Sequence, residues 1–317
     1  MAQDSKENSS VTRGLFHALL AFGLFSTHDA IVKVLGENYS VFQIIFFSAL
    51  FAFVPVSILM TADGVVDNFR PRHPWYLLGR TIASVIGITS AFYAFTVLPL
   101  TEVYALLFAT PLLITMLSVP LLGEPVGARR WFAVIAGLIG VLIVLRPGYT
   151  DFSPGHAAAL TASLMTALSS IIIRKIGKEE RGAVLLLYPL IGHVIFMALF
   201  LPAVYVPVAL PDLGLMAVIG VLVMLAQVSI ISAFRVAPAV VVAPIQYTQI
   251  IWAVLFGYFL FGSFPDIWVA LGASVIIASG LFVVWREHQG NVSTNTPVLK
   301  VRNLRADTGP THRPGHG

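Results

Sequence analysis

Between residues 14 and 285 the chain is a succession of long apolar runs separated by short polar connections, and that pattern leaves few folds open to it. The hydrocarbon core of a membrane offers backbone N–H and C=O groups no partner, so only helices and closed barrels cross it. A spanning helix takes about twenty residues and a spanning strand about ten. The runs here have the helical length. They fall near 14–35, 41–60, 75–95, 100–122, 129–146, 155–176, 183–205, 213–234, 239–261 and 267–285. The expected fold class is therefore an all-α membrane protein with ten transmembrane helices.

Composition excludes several function classes. Hydrophobic residues make up 57% and charged residues 11%, against about a quarter charged in soluble domains, and the mean hydropathy is +0.88. Ten spans fill most of 317 residues, which leaves no soluble domain to hold an active site. The chain contains no HExxH, no Walker sequence and no Gly-Ser-Gly nucleophile within a span, so no enzyme, no ATP-driven pump, no cofactor and no metal site is expected. Cysteine is absent, which removes disulfides and thiolate chemistry. The net charge of +4 comes mostly from short loops, where it reports orientation rather than affinity for nucleic acid. The expected partners are the lipid bilayer and a small-molecule solute, and Gly137 with Gly140 leaves room for a homodimer.

The stretch 90–147 recurs, much altered, from residue 229 onward. Setting Pro99 against Pro238 aligns Ser90 with Ser229, Ala94 with Ala233, Phe95 with Phe234, Val103 with Val242, Leu121 with Leu260 and Gly123 with Gly262. One inserted residue then brings Pro125 onto Pro265 and Gly140 onto Gly280. A duplicated set of membrane helices is the mark of a carrier. The expected organisation is a five-helix repeat over 14–148 and a second over 149–286, with a cytoplasmic segment 1–13 and a disordered cytoplasmic tail 287–317. The run at 14–35 continues for a full span without a cleavage signal and reads as a retained helix. Five spans per half turn the second copy over, giving a 5+5 inverted repeat. With the N terminus inside, the inner connections hold Arg70, Arg72, Arg129, Arg130, Arg174, Lys175, Lys178, Arg181 and Arg235, and the outer ones only Lys33 and Arg146. Both termini are therefore expected in the cytoplasm of an inner membrane.

The repeated Ala-Phe-x-x-x-Pro turn, the sequence Leu122-Gly123-Glu124-Pro125 followed by Arg130-Trp131, and the Gly-rich helix 136–141 together resemble the drug/metabolite transporter superfamily in its EamA branch. The resemblance covers about 14–285, and Ser263 stands where the family often has an acid. It implies a secondary carrier with a cavity between its halves, lined mainly by spans one, three, four, six, eight and nine. The stretch from His28 to Lys33 also resembles an Asp-x-x-x-Lys segment in relatives that carry S-adenosylmethionine. Other relatives in the branch move riboflavin, amino acids or amphiphilic metabolites.

Several polar residues fall inside spans, where a charge costs about 2.5–3.5 kcal/mol at full depth. Asp29 lies about 22 Å along the first helix from Gly14, with His28 beside it and Lys33 at i+4, the order that lets an acid and a base pair on one face. The expectation is a charged pair at the outer part of a cavity, touching solute or serving as a structural pair. Arg80, inside the third span, needs an acceptor: a substrate, a helix end, a lipid phosphate or Glu124. Glu102 suits the positive start of the fourth helix and is also a candidate for coupling or gating. In the ninth span Gln246, Gln249 and Trp252 share a face at i+3 spacing, a strip suited to a planar, hydrogen-bonding solute. Tyr104 and Phe108 occupy the equivalent face of the first half, and Gln227 and Tyr93 neighbour the same turns. His17 and His193 are isolated. The cargo expected from this content is a neutral planar heterocycle such as riboflavin, with an adenosyl compound as the alternative through Asp29. A membrane-embedded enzyme or a non-transporting scaffold is the competing class.

Overall fold

The computed structural model describes residues 2–62, 70–124, 126–149, 151–177, 179–180, 182–237 and 242–289. Helices α1 (Ala2–Leu35), α2 (Val41–Ala62) and α3 (Pro74–Val97) come first. They are followed by α4 (Leu100–Leu107), α5 (Thr110–Leu122) and α6 (Ala128–Leu145). The second part holds α7 (Pro154–Ile176), α8 (Gly182–Val204), α9 (Leu210–Val236), a 3₁₀ helix η1 (Ala243–Thr248), α10 (Gln249–Phe261) and α11 (Ile267–Gln289). By length and composition eight stretches can cross a membrane, and Val41–Val54 and Ile267–Val283 are shorter apolar helices, which makes ten among the described residues. No β-strand forms among them.

Two expectations need correction. The first span holds, as Thr12–Leu35, and its helix continues N-terminally to Ala2. The fourth span is not one helix: it breaks at Phe108–Ala109 between α4 and α5. Pro111 has no N–H to give the carbonyl of Leu107, and the Thr110 hydroxyl takes that carbonyl instead at 2.7 Å. The ninth span likewise opens as 3₁₀ helix before α10 begins. Pro125, Lys178, Arg181, Pro238 and the tail from 290 lie outside the described residues.

The two breaks are not the only features that recur 139 residues apart. The N–H of Leu98 bonds to Ala94 and that of Ala237 to Ala233. Gly123 and Gly262 end α5 and α10 in the left-handed region, at φ 68° and 60°, where a side chain would be strained. The following N–H groups close the same turn, Glu124 onto Ser118 and Ser263 onto Gly257.

Helix α4 is the centre of the molecule, with six of its eight residues buried. Around it α3 packs on α7, α1 on α9 and α6 on α11, while α2 lies against α8 and α9. The last helices, α6 and α11, touch backbone to backbone. A Cβ added at Gly140 would meet the Gly272 carbonyl at 2.9 Å, and one at Gly272 would meet Gly140 at 2.7 Å. Gly137 is filled in the same way by Leu112 and Ser279. The glycine pair thus seats the chain's own helix rather than a second copy.

Candidate functional site

Helix α1 carries Ser26, His28 and Asp29 into the buried centre, where α4 brings Tyr104 to meet them. Asp29 is 2% exposed and Tyr104 1%. His28 Nδ1 lies 2.7 Å from Asp29 Oδ1, and the Tyr104 hydroxyl donates to Asp29 Oδ2. Ser26 Oγ lies 3.3 Å from the same hydroxyl. Rings wall the group in: Phe92 stands edge-on to His28, with centroids 5.5 Å apart, and Phe95 edge-on to Tyr104 at 5.5 Å. Beyond Tyr104 the rings continue to Phe108 at 6.2 Å and from Phe108 to Tyr247 at 5.0 Å. That row leads from the carboxylate, through the break after α4, into η1.

The expected pairing of Asp29 with Lys33 does not form. The Lys33 ammonium donates instead to the carbonyls of Leu98 at 2.7 Å and Phe95 at 3.2 Å and sits 5.3 Å from the Phe261 ring centroid. The carbonyl of Phe95 would ordinarily receive the N–H four residues on, but that residue is Pro99. A cation at the negative end of α3 therefore finds two open acceptors and a favourable dipole. Arg80 follows the same logic. It is buried, and its Nη1 donates to the carbonyl of Leu185, which Pro189, four residues later inside α8, leaves without a helical donor. Glu124, one of the acceptors considered for Arg80, is bound by Arg174 at 2.6 and 2.9 Å.

Of the expected amide strip, Gln246 is buried in η1 and Gln249 is buried at the start of α10. Trp252 stacks with Phe256, centroids 6.0 Å apart, and lies across Gly23 of α1, where an added Cβ would meet the indole at 3.3 Å. Gln249 is 7% exposed and its Nε2 has no hydrogen-bond partner among the described residues. The Tyr247 hydroxyl fills the notch left by Gly280. Gln227 is buried on α9. Tyr93 is not brought to this group: it is 37% exposed on α3. His193 is buried on α8, and His17 Nδ1 lies 2.7 Å from the Arg13 carbonyl.

Sequence reasoning missed the contacts that tie the two ends of the bundle. At one end Glu102 faces His156 at 3.3 Å, Arg146 pairs with Asp266, and Tyr39 donates to Asp212 Oδ2 at 2.7 Å. Gln43 there exchanges two bonds with the backbone of Val206, at 2.7 and 3.0 Å. The Asp212 carboxylate, accepting the phenol's hydrogen bond, pushes Tyr39 above the usual tyrosine range. At the other end the buried Glu180 carboxylate accepts the N–H groups of Arg72 at 2.9 Å and His73 at 3.0 Å, capping α3. His73 Nε2 also reaches Glu179 at 2.8 Å. The only signal for these in the sequence is the presence of polar residues in otherwise short turns.

Comparison with known proteins bears on what such a bundle does. Residues 12–146 match the model of the EamA-like transporter family. Over 270 residues the chain is 30% identical to a riboflavin transporter of Vibrio cholerae, covering 84% of this chain and 85% of the relative. The chain belongs to the EamA-like transporter family. This transporter is also 27% identical over 282 residues to an S-adenosylmethionine uptake transporter of Rickettsia prowazekii, covering 86% of the chain and 93% of the relative. It is 25% identical over 268 residues to the pseudopaline exporter CntI of Pseudomonas aeruginosa, with coverages of 84% and 94%. A solved crystal structure shares its fold, with a TM-score of 0.58 and 16% identity over 89% of this chain and 98% of that one. The EamA-like chain is thus a multi-pass membrane protein of a transporter family.

Proposed function

We propose that this EamA-like transporter is a secondary carrier that moves a planar, hydrogen-bonding metabolite by alternating access between two inverted halves, 14–148 and 149–286. The packing supports the halves. Helix α1 lies on α9 as α3 lies on α7, α2 on α9 as α3 on α8, and α5 on α7 as η1 and α10 lie on α1. Counterparts also meet directly, in α2 with α8 and α6 with α11. Exchanging the halves therefore maps these principal contacts onto themselves, as two gates around one site require. The excess of Arg and Lys in one set of loops supports both termini in the cytoplasm, with the carrier in an inner membrane.

The gates have matching positions and different chemistry. Lys33 and Arg174 each stand two residues before the end of counterpart helices α1 and α7. Arg174 meets Glu124 beyond α5, whereas the residue corresponding to Glu124 is Ser263, and Lys33 turns to the α3 carbonyls and Phe261. At the Lys33 position the outer side therefore lacks the carboxylate partner that Arg174 has on the cytoplasmic side.

The observation that carries the cargo class is the buried Nε2 of Gln249, without a hydrogen-bond partner among the described residues, on the helix that carries Trp252 three residues on. A buried amide donor left unmade is costly, and a solute carbonyl or ring nitrogen stacked on the indole would satisfy it. Riboflavin, the substrate in the name of the Vibrio relative, has that form. An adenosyl compound with a cationic group is the second reading, favoured by the buried Asp29 carboxylate and the Rickettsia relatives. Uptake of labelled riboflavin and S-adenosylmethionine into sealed vesicles holding the purified protein separates the two. Gln249→Leu is expected to raise the half-saturation concentration of the transported solute about two- to tenfold, the worth of one neutral hydrogen bond. An unchanged value, or product formation instead of flux, would refute the assignment.

A further inference from the structure

Within the first span an imidazole and a carboxylate, both buried, are in direct contact, His28 Nδ1 on Asp29 Oδ1 at 2.7 Å. We infer that this pair is the proton-binding site of the transport cycle, read out by Tyr104. The cycle rests on the carrier reading above; the site itself does not.

Both side chains are buried. An unbalanced charge at that depth is expensive, so the pair's stable forms are those in which a proton fills the Nδ1···Oδ1 bond. Two groups in such contact gain and lose protons as a unit. The remaining carboxylate oxygen, Oδ2, accepts from the Tyr104 hydroxyl. A proton arriving from water at one face and bound on Oδ2 turns that oxygen into a donor. Tyr104 must then accept from it and send its own hydrogen elsewhere, and Ser26 Oγ is already 3.3 Å away. One hydrogen bond is thereby redirected on α4, four residues before the break. There Phe108 touches Tyr247 of η1, the residue next to Gln246. Release of the proton to the opposite face restores the first arrangement.

The titratable groups on surrounding elements are directed to other partners. On α1, Lys33 is held by the α3 carbonyls and His17 by Arg13. On α3, Arg80 is turned to α8 and Tyr93 is exposed. Asp212 of α9 receives Tyr39, Glu102 of α4 faces His156, Tyr247 occupies the Gly280 notch and Tyr258 of α10 stacks on Phe264.

The test has two arms, both on the full chain in lipid vesicles. Infrared difference spectra recorded while the vesicle pH is stepped from acid to alkaline are expected to show a protonated-carboxyl band that Asp29→Asn removes. His28→Gln and Tyr104→Phe should each move its midpoint. The inference is overturned if every titrating carboxyl band survives in Asp29→Asn. In the second arm the voltage is clamped with potassium and valinomycin, and tritiated riboflavin and S-adenosylmethionine serve as probes. A gradient of one pH unit supports up to about tenfold accumulation per coupled proton. Accumulation in one orientation of the gradient is expected for the unaltered chain and none for Asp29→Asn. Flux that ignores the gradient overturns the proton site and leaves the carrier standing. If neither probe moves, the cargo reading fails and the infrared arm alone decides the site.

Discussion

The buried Arg80 and the half-buried Lys33 show how main-chain oxygens can receive a cation inside the bundle. Each meets a main-chain oxygen that a proline four residues downstream cannot serve, Leu185 before Pro189 and Phe95 before Pro99. Removing Arg80 should strand a buried acceptor at a cost of about 1–3 kcal/mol. The loss is specific in a testable way, because Pro189→Ala gives α8 back the missing N–H. In thermal unfolding of the four proteins of the Arg80→Met and Pro189→Ala cycle, the double variant is expected to be more stable than Arg80→Met alone. Strict additivity would show that Leu185 is not the partner that matters. Tyr39 offers a second test. Its phenol keeps its proton in the folded chain beyond the pH, about 10, at which an unfolded tyrosine loses it. The folded state therefore binds more protons above that point, so this contribution to stability is full below about pH 10 and declines above it. Unfolding temperatures of Tyr39→Phe should lack that alkaline decline.

At the level of helices, the breaks in the fourth and ninth spans set where the site can be. Hydropathy alone reads 100–122 as one uniform run, yet Pro111 sits inside it, and the proline was legible as a gap in the carbonyl ladder. In the ninth span the 3₁₀ turn has no such marker at its junction with α10, where Ile250 stands in place of Pro111. The latch between α5 and α7 is the most direct handle on motion. Charge-assisted bonds such as Glu124 to Arg174 contribute about 1.5–3 kcal/mol, or about ten- to a hundredfold in a gate equilibrium. The chain has no cysteine, so Ile171→Cys, buried between those helices, reports opening without background. Its labelling by an impermeant maleimide from the cytoplasmic side should rise by about that factor when Glu124→Gln is added. An unchanged rate would mean that the pair holds no gate shut.

For the molecule as a whole, the spans were readable because length and apolarity are local properties, set by the thickness of the bilayer. The polar residues within spans were readable as important because each is costly there; His28, Asp29 and Tyr104 do meet between α1 and α4, while Gln246 and Gln249 are buried in η1 and at the start of α10. Their partners were not readable. Asp29 and Lys33 have the spacing of an ion pair, but the choice between an acid one turn away and two carbonyls on another helix depends on how α1 meets α3. Glu124 with Arg174 and Tyr39 with Asp212 are separated by 50 and 173 residues, beyond any periodicity in the chain. Yet the proline positions carry some of this long-range information. A proline within or just after a buried helix marks an oxygen, four residues earlier, that a neighbouring helix or a nearby hydroxyl is drawn to answer: Lys33 for Pro99, Arg80 for Pro189, the Thr110 hydroxyl for Pro111. In such a protein the imino acid works as an address, and shifting one along its helix by a single position would send the answering group to an empty door.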